Sequence, residues 1–156
     1  MPEAIWVTRP VGRLAEQDER CRVEWVSVTV EDCARRRWRT VTDEGTDIAI
    51  DLPLDEWLED GLVLYRDDLR VIVVRVLPVS VLTARPKSLD DMGRLAYLIG
   101  NLHQPCLIHH GEIVVPDDAA LTDLFTQAGL PYQREQRVLP RGFDSVRRSS
   151  HHGQHE

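Results

Sequence analysis

The stretch Cys21–Asp32, "CRVEWVSVTVED", puts Val23, Trp25, Ser27 and Thr29 on one side of the chain and spreads Val26, Val28 and Val30 across the pleat. That period of two predicts a half-buried strand. "WRTVTDEGTDIAIDLP" reads as two strands around a turn at Asp43-Glu44-Gly45, stopped by Pro53. "LEDGLVLYRDDLRVIVVRV" repeats the scheme: a turn at Asp60-Gly61, a short strand, a turn at Asp67-Asp68, then an apolar β-branched run. No helical period appears before about residue 85, so the first half is expected to be all β.

Past that point the pattern changes. "VIVVRVLPVSVLTAR" predicts a strand broken or bent near Pro78. Ser88 can then cap a helix with Asp90 and Asp91 in its first turn, and Met92, Leu95, Ala96 and Ile99 fall on one face. Gly100-Asn101 is the expected stop, since both residues tolerate a left-handed backbone. "PCLIHHG" and "EIVVPDD" predict two short strands meeting near Gly111. A second helix opens at Asp117 or Asp118, carries Leu121, Leu124, Phe125 and Ala128, and closes at Gly129; "YQREQRVL" is a last strand. The order β-α-β-β-α-β is that of a ferredoxin-like fold. After about Leu139 the chain turns polar and reads as a mobile tail. The expected fold class is α+β. A small all-β domain spans 1–74, a ferredoxin-like domain 75–140, and a flexible histidine-bearing tail 141–156.

At 156 residues and 42% hydrophobic, the chain can bury real cores without disulfides. Its three cysteines, Cys21, Cys33 and Cys106, form no secreted framework. No basic-apolar leader opens it and no apolar run nears membrane-span length, so a cytoplasmic protein is expected. The formal net charge of −7 argues against nucleic-acid binding. The cluster Arg35-Arg36-Arg37 with Arg39 is read as a solvated strand face, with a docking surface for an acidic partner as the sharper alternative.

Histidine is the residue that changes the picture. Three of six, His151, His152 and His155, lie in the final "SSHHGQHE". Gly153 and Gln154 break the run and Glu156 ends it, unlike a purification tag. Short His-rich tracts point to metal binding on composition, but a tail alone makes a poor cage because ordering it costs entropy. It can act as a movable ligand arm if the folded body supplies a fixed ligand. His103, just past the expected helix stop, is the candidate: two copies on a dimer axis would present two imidazoles suited to Ni²⁺, Zn²⁺ or Cu²⁺. His109 and His110 are read as turn residues, because neighbours on a strand face opposite ways and would not share one ion. His103 and Cys106 stand at H-x-x-C spacing with no second pair to close a zinc site, so Cys106 is expected to be a buried apolar residue. No G-x-S-x-G, P-loop, H-E-x-x-H or dinucleotide fingerprint occurs.

The run Leu95-Ala96-Tyr97-Leu98-Ile99-Gly100-Asn101-Leu102-His103-Gln104-Pro105 resembles a motif of the urease accessory protein family UreE, approximately L-A-Y-x-L-G-N-R-H-x-P. "RRRWRTVTDEGTDIAIDLPLDEWLEDGLVLYRDD" is similar to that family's first domain, and "DDAALTDLFTQAGLPYQRE" to its second helix and last strand. The departures are Leu102 for the motif arginine and Leu62 for the second aspartate of the L-x-D-G-D-x-L segment. Pro116-Asp117-Asp118-Ala119 stands where some members carry further histidines. The resemblance implies a cytoplasmic homodimeric nickel chaperone, not an enzyme. In it His103 from each subunit would meet at the interface. The implied partners are a UreG-type GTPase and the urease apoprotein. Tail histidines His151, His152 and His155 would complete the shell and exchange during transfer. Two readings stand beside it: a small metal- or thiol-dependent enzyme using Cys106 and nearby histidines, and a metal-independent interaction module docking through Arg35–Arg37.

Overall fold

The computed structural model describes residues 3–140 together with 142 and 143; the tail expected over 141–156, with His151, His152 and His155, otherwise lies outside the described residues. The chain forms two compact units, one of Met1–Leu77 with Leu139–Gly142 and one built on Pro78–Val138.

The first unit is all β apart from two short 3-10 turns at Glu16–Asp18 and Asp32–Ala34. Its strands are β1 (Ile5–Val7), β2 (Gly12–Arg13), β3 (Arg22–Val28), β4 (Arg37–Val41), β5 (Asp47–Asp51), β6 (Leu62–Arg66) and β7 (Arg70–Val76). They make one sheet in the order β1-β5-β4 and another in the order β2-β6-β7-β3. The predicted hairpins β4–β5 and β6–β7 are present, and Gly45 and Gly61 take the left-handed turn positions at φ 83° and 82°. Neither β1 nor β2 was expected. β7 pairs in parallel with β3 over seven residues, Arg22↔Arg70 to Val28↔Val76, and its apolar run is buried from Val71 to Val74.

The inward face of β3 differs from the simple alternation: Glu24 sits on it with Val26 and Val28, fully buried. Its carboxylate is held by Arg22 at 2.9 Å, Arg70 at 3.6 Å and the Thr42 hydroxyl at 3.0 Å. Burial alone would raise its pKa, but donors from Thr46, Thr42 and Arg22 and the Arg70 charge together hold it below the usual range. Thr42 lies just past β4, so this buried carboxylate bonds the two sheets of the unit together. The return segment adds to it: Leu139 is buried, and Asp60 N–H donates to the Pro140 carbonyl at 2.8 Å.

In the second unit the elements are β8 (Val79–Ala84), α1 (Leu89–Asn101), β9 (Leu107–His109), β10 (Glu112–Pro116), α2 (Ala119–Gln127) and β11 (Gln133–Arg137). The strand expected to be broken or bent near Pro78 is broken there into β7 and β8, which lie in different sheets. The sheet runs β11-β8-β10-β9 with every pairing antiparallel. With α1 and α2 this is the expected βαββαβ arrangement. Its core joins Leu82, Ala84, Ile113 and Val115 from the sheet to Leu95 and Ile99 of α1 and Leu121 and Phe125 of α2. Glu112, at the start of β10, is nearly buried and bridges Arg85 and Arg137, each at 2.9 Å. The Arg137 hydrogen bond, ahead of the opposing cost of burial, keeps Glu112 below the usual carboxylate range.

Candidate metal site

Helix α1 is fixed at both ends. At its start the Ser88 hydroxyl accepts from the Asp91 N–H at 3.1 Å, as the sequence predicts. Leu95 and Ile99 then bury one face of it. The end differs from the expectation. The helix runs through Gly100 and Asn101, Leu102 keeps a right-handed backbone, and the left-handed residue is His103 itself, at φ 54°. His103 N–H donates to Gly100 O at 3.0 Å and Gln104 N–H to Ile99 O at 3.4 Å. This is the paired bonding of a Schellman stop, whose left-handed position normally holds glycine.

A side chain in that conformation costs roughly 1–2 kcal/mol. Residues held so usually serve a site. The strain yields a direct check: His103→Gly should stabilise the metal-free protein by about 1 kcal/mol, even after the extra freedom of glycine in the unfolded chain. In a domain this small that is a rise of roughly 4–8 °C in melting temperature, read by calorimetry. A melting temperature that falls would show that His103 makes compensating native contacts.

The imidazole of His103 is exposed. On the outer face of the helix that leads to it lies Tyr97, 68% exposed; Leu102, 42% exposed, caps the helix end. Gly93 and Gly100 share that face, at i−4 and i+3 from Tyr97, and a Cβ on either would meet nothing within 4 Å. The sequence reading passed over this pair. The available signal was two glycines seven apart inside a helical period, each costing about 1 kcal/mol relative to alanine.

Among the described residues no three His, Cys, Asp or Glu side chains converge as a metal-binding group. Cys106 is half-buried and packs against the core of the second unit, so the expectation of full burial is only partly met. His109 and His110 depart from the strand-alternation argument. His110 has left the strand for a left-handed turn at φ 48°, and the two rings lie edge to face with centroids 3.6 Å apart. Three arginines of the cluster have partners within the unit: Arg35 pairs with Asp32 at 3.2 Å and stacks over Trp38, Arg36 donates to the Leu52 carbonyl, and Arg37 pairs with Asp51 at 2.7 Å; Arg39 is exposed. No described helix is long and apolar enough to cross a membrane.

A β unit is followed by a ferredoxin-like unit that presents the imidazole of His103 at the end of its first helix. Residues 7–77 match the N-terminal domain of the UreE urease accessory protein, and residues 78–156 match its C-terminal domain. Relatives include the urease accessory proteins UreE of Geobacillus kaustophilus, 40% identical over 124 residues (80% of this chain, 84% of the relative), and of Lysinibacillus sphaericus, 34% identical over 139 residues (88% and 94%). The protein of Staphylococcus aureus strain MRSA252 is 36% identical over 138 residues (87% and 91%). The chain belongs to the UreE urease accessory protein family, a family of accessory proteins rather than enzymes.

Proposed function

We propose that this chain is a cytoplasmic nickel chaperone for urease maturation, working as a homodimer. His103 from each subunit anchors one Ni²⁺ on the two-fold axis, and the tail histidines, His152 or His155 foremost and His151 beside them, complete the shell. Transfer is ligand exchange: a tail imidazole leaves, and the ion passes by way of a UreG-type GTPase to the urease apoprotein. The division of labour follows the three segments, with 1–74 docking a partner, 75–140 holding the ion and 141–156 acting as the arm. Zn²⁺ and Cu²⁺ fit the same ligands in vitro, Cu²⁺ the more tightly by the usual order of affinities.

The observation that carries this reading is the exposed imidazole of His103, held in a strained stop at the end of a helix whose exposed face carries Gly93, Tyr97 and Gly100. Two helices can approach closely only where side chains are small, and the two-fold operation would bring each His103 toward its mate. The partnered arginines and the half-buried Cys106 favour neither the interaction-module reading nor the thiol-enzyme reading.

Calorimetric titration with Ni²⁺ tests it. The intact protein is expected to take one tight ion per dimer. His103→Ala abolishes that binding, and replacing His151, His152 and His155 with alanine weakens it. Binding also weakens in acid, because a protonated imidazole cannot ligate the ion. Tight binding that survives His103→Ala and vanishes with the tail histidines would sink the proposal.

A further inference from the structure

The β9–β10 hairpin carries a second pair of histidines that the His103 site does not use. The hairpin closes through a two-residue loop, His110-Gly111, at φ 48° and 76°, with His109 paired to Glu112. Two successive left-handed residues are the signature of a type I′ turn, which favours asparagine followed by glycine. This chain places an imidazole at the strained position instead. Leaving the strand also removes the alternation that would send the two side chains apart, and the rings of His109 and His110 come together, centroids 3.6 Å apart and planes inclined by 65°. His103 and His110 are the only non-glycine residues with positive φ among the described residues.

We propose that His109 and His110 form a separate metal site, a solvent-facing pair of imidazoles that binds one Cu²⁺ or Ni²⁺ ion per chain. Imidazole nitrogens bound at about 2.0–2.1 Å to one ion stand roughly 3 Å apart. Both side chains are exposed, so the rings reach that spacing by side-chain rotation alone. Glu112 is not a third ligand: its two oxygens are taken by Arg85 and Arg137. The ion therefore keeps water at its other positions, and the site is open and exchangeable. Because it needs only adjacent residues of one hairpin, it requires neither a second subunit nor the tail.

The test uses the full chain carrying His103→Ala, His151→Ala, His152→Ala and His155→Ala, which leaves His109 and His110 as the remaining histidines. Copper(II) is the probe, being the tightest-bound ion of the series. Calorimetry is expected to give one ion per chain, and electron paramagnetic resonance to show coupling to two imidazole nitrogens. Adding His109→Ala, or His110→Asn, should weaken binding at least about tenfold by breaking the chelate. His110→Asn keeps a residue suited to the turn, so loss of copper there cannot be loss of the hairpin. Copper without imidazole coupling in the four-fold variant, or affinity unmoved by either added substitution, would overturn the proposal.

Discussion

Phe125→Ala is expected to strip the second unit of most of its stability while the first is unaffected. Phe125 is fully buried in α2, stacks on Tyr132 at 5.4 Å, and belongs to a core cluster made only of second-unit residues. Truncating a buried phenylalanine costs about 3–5 kcal/mol, in lost transfer energy plus a cavity. A unit of about 60 residues has roughly 3–9 kcal/mol to lose. At the middle of both ranges, about 4 of about 6 kcal/mol, the substitution removes most of its stability and loosens the platform that presents His103. The four tryptophans, Trp6, Trp25, Trp38 and Trp57, all lie in the first unit. Their fluorescence should stay native while hydrogen exchange shows α1 and α2 losing protection. Full protection in α1 and α2 would mean that the core collapses around the missing ring at little cost. Loss of the native tryptophan signal would mean that the units do not fold separately.

What could be read in the sequence follows from how local each signal is. Ser88, the aspartates behind it and the spacing of Leu95 and Ile99 define α1 without reference to anything distant. The turns at Asp43-Glu44-Gly45 and Asp67-Asp68 define their hairpins in the same way. The parallel pairing of β3 with β7 joins segments about fifty positions apart, and nothing along either strand announces it. β1 and β2 are too short to show a period. Glu24 escaped notice because a charge at an inward position is tolerable only with Arg22, Arg70 and Thr42 around it, and that surround is tertiary.

The site was legible in part for the same reason. His103 was found near the end of a helix, because helix ends have local signatures. Its conformation was not, because Gly100 and Asn101 looked like better stops. Continuing to Asn101 lets Leu102 close the helix and passes the left-handed position to a histidine. His110 lies in the turn as expected, but the contact of its ring with that of His109 was not foreseen, because strand alternation was applied across a residue that had already entered the turn. In both places a histidine occupies a backbone position that glycine or asparagine would hold at lower cost.

Replacing Gly93 and Gly100 together with leucine is expected to weaken Ni²⁺ binding by roughly 10²–10⁴-fold, although no ligand is altered. Each glycine lies on the exposed face of α1 with open space where a Cβ would stand. The folded monomer therefore accepts leucine, and each change favours the helix by up to about 1 kcal/mol. A second α1 packed against the same face could not accept it. If the dimer forms there, the variant becomes a monomer with a single fixed imidazole, and the gain from holding two together is lost. Light scattering reads the mass and calorimetry reads the nickel. His103→Gly is the matching control, since it removes the ligand and leaves the face intact, so it should stay dimeric and lose nickel. A Gly93→Leu, Gly100→Leu variant that remains a dimer with unchanged affinity would place the interface elsewhere, and the strain at His103 would then need another explanation.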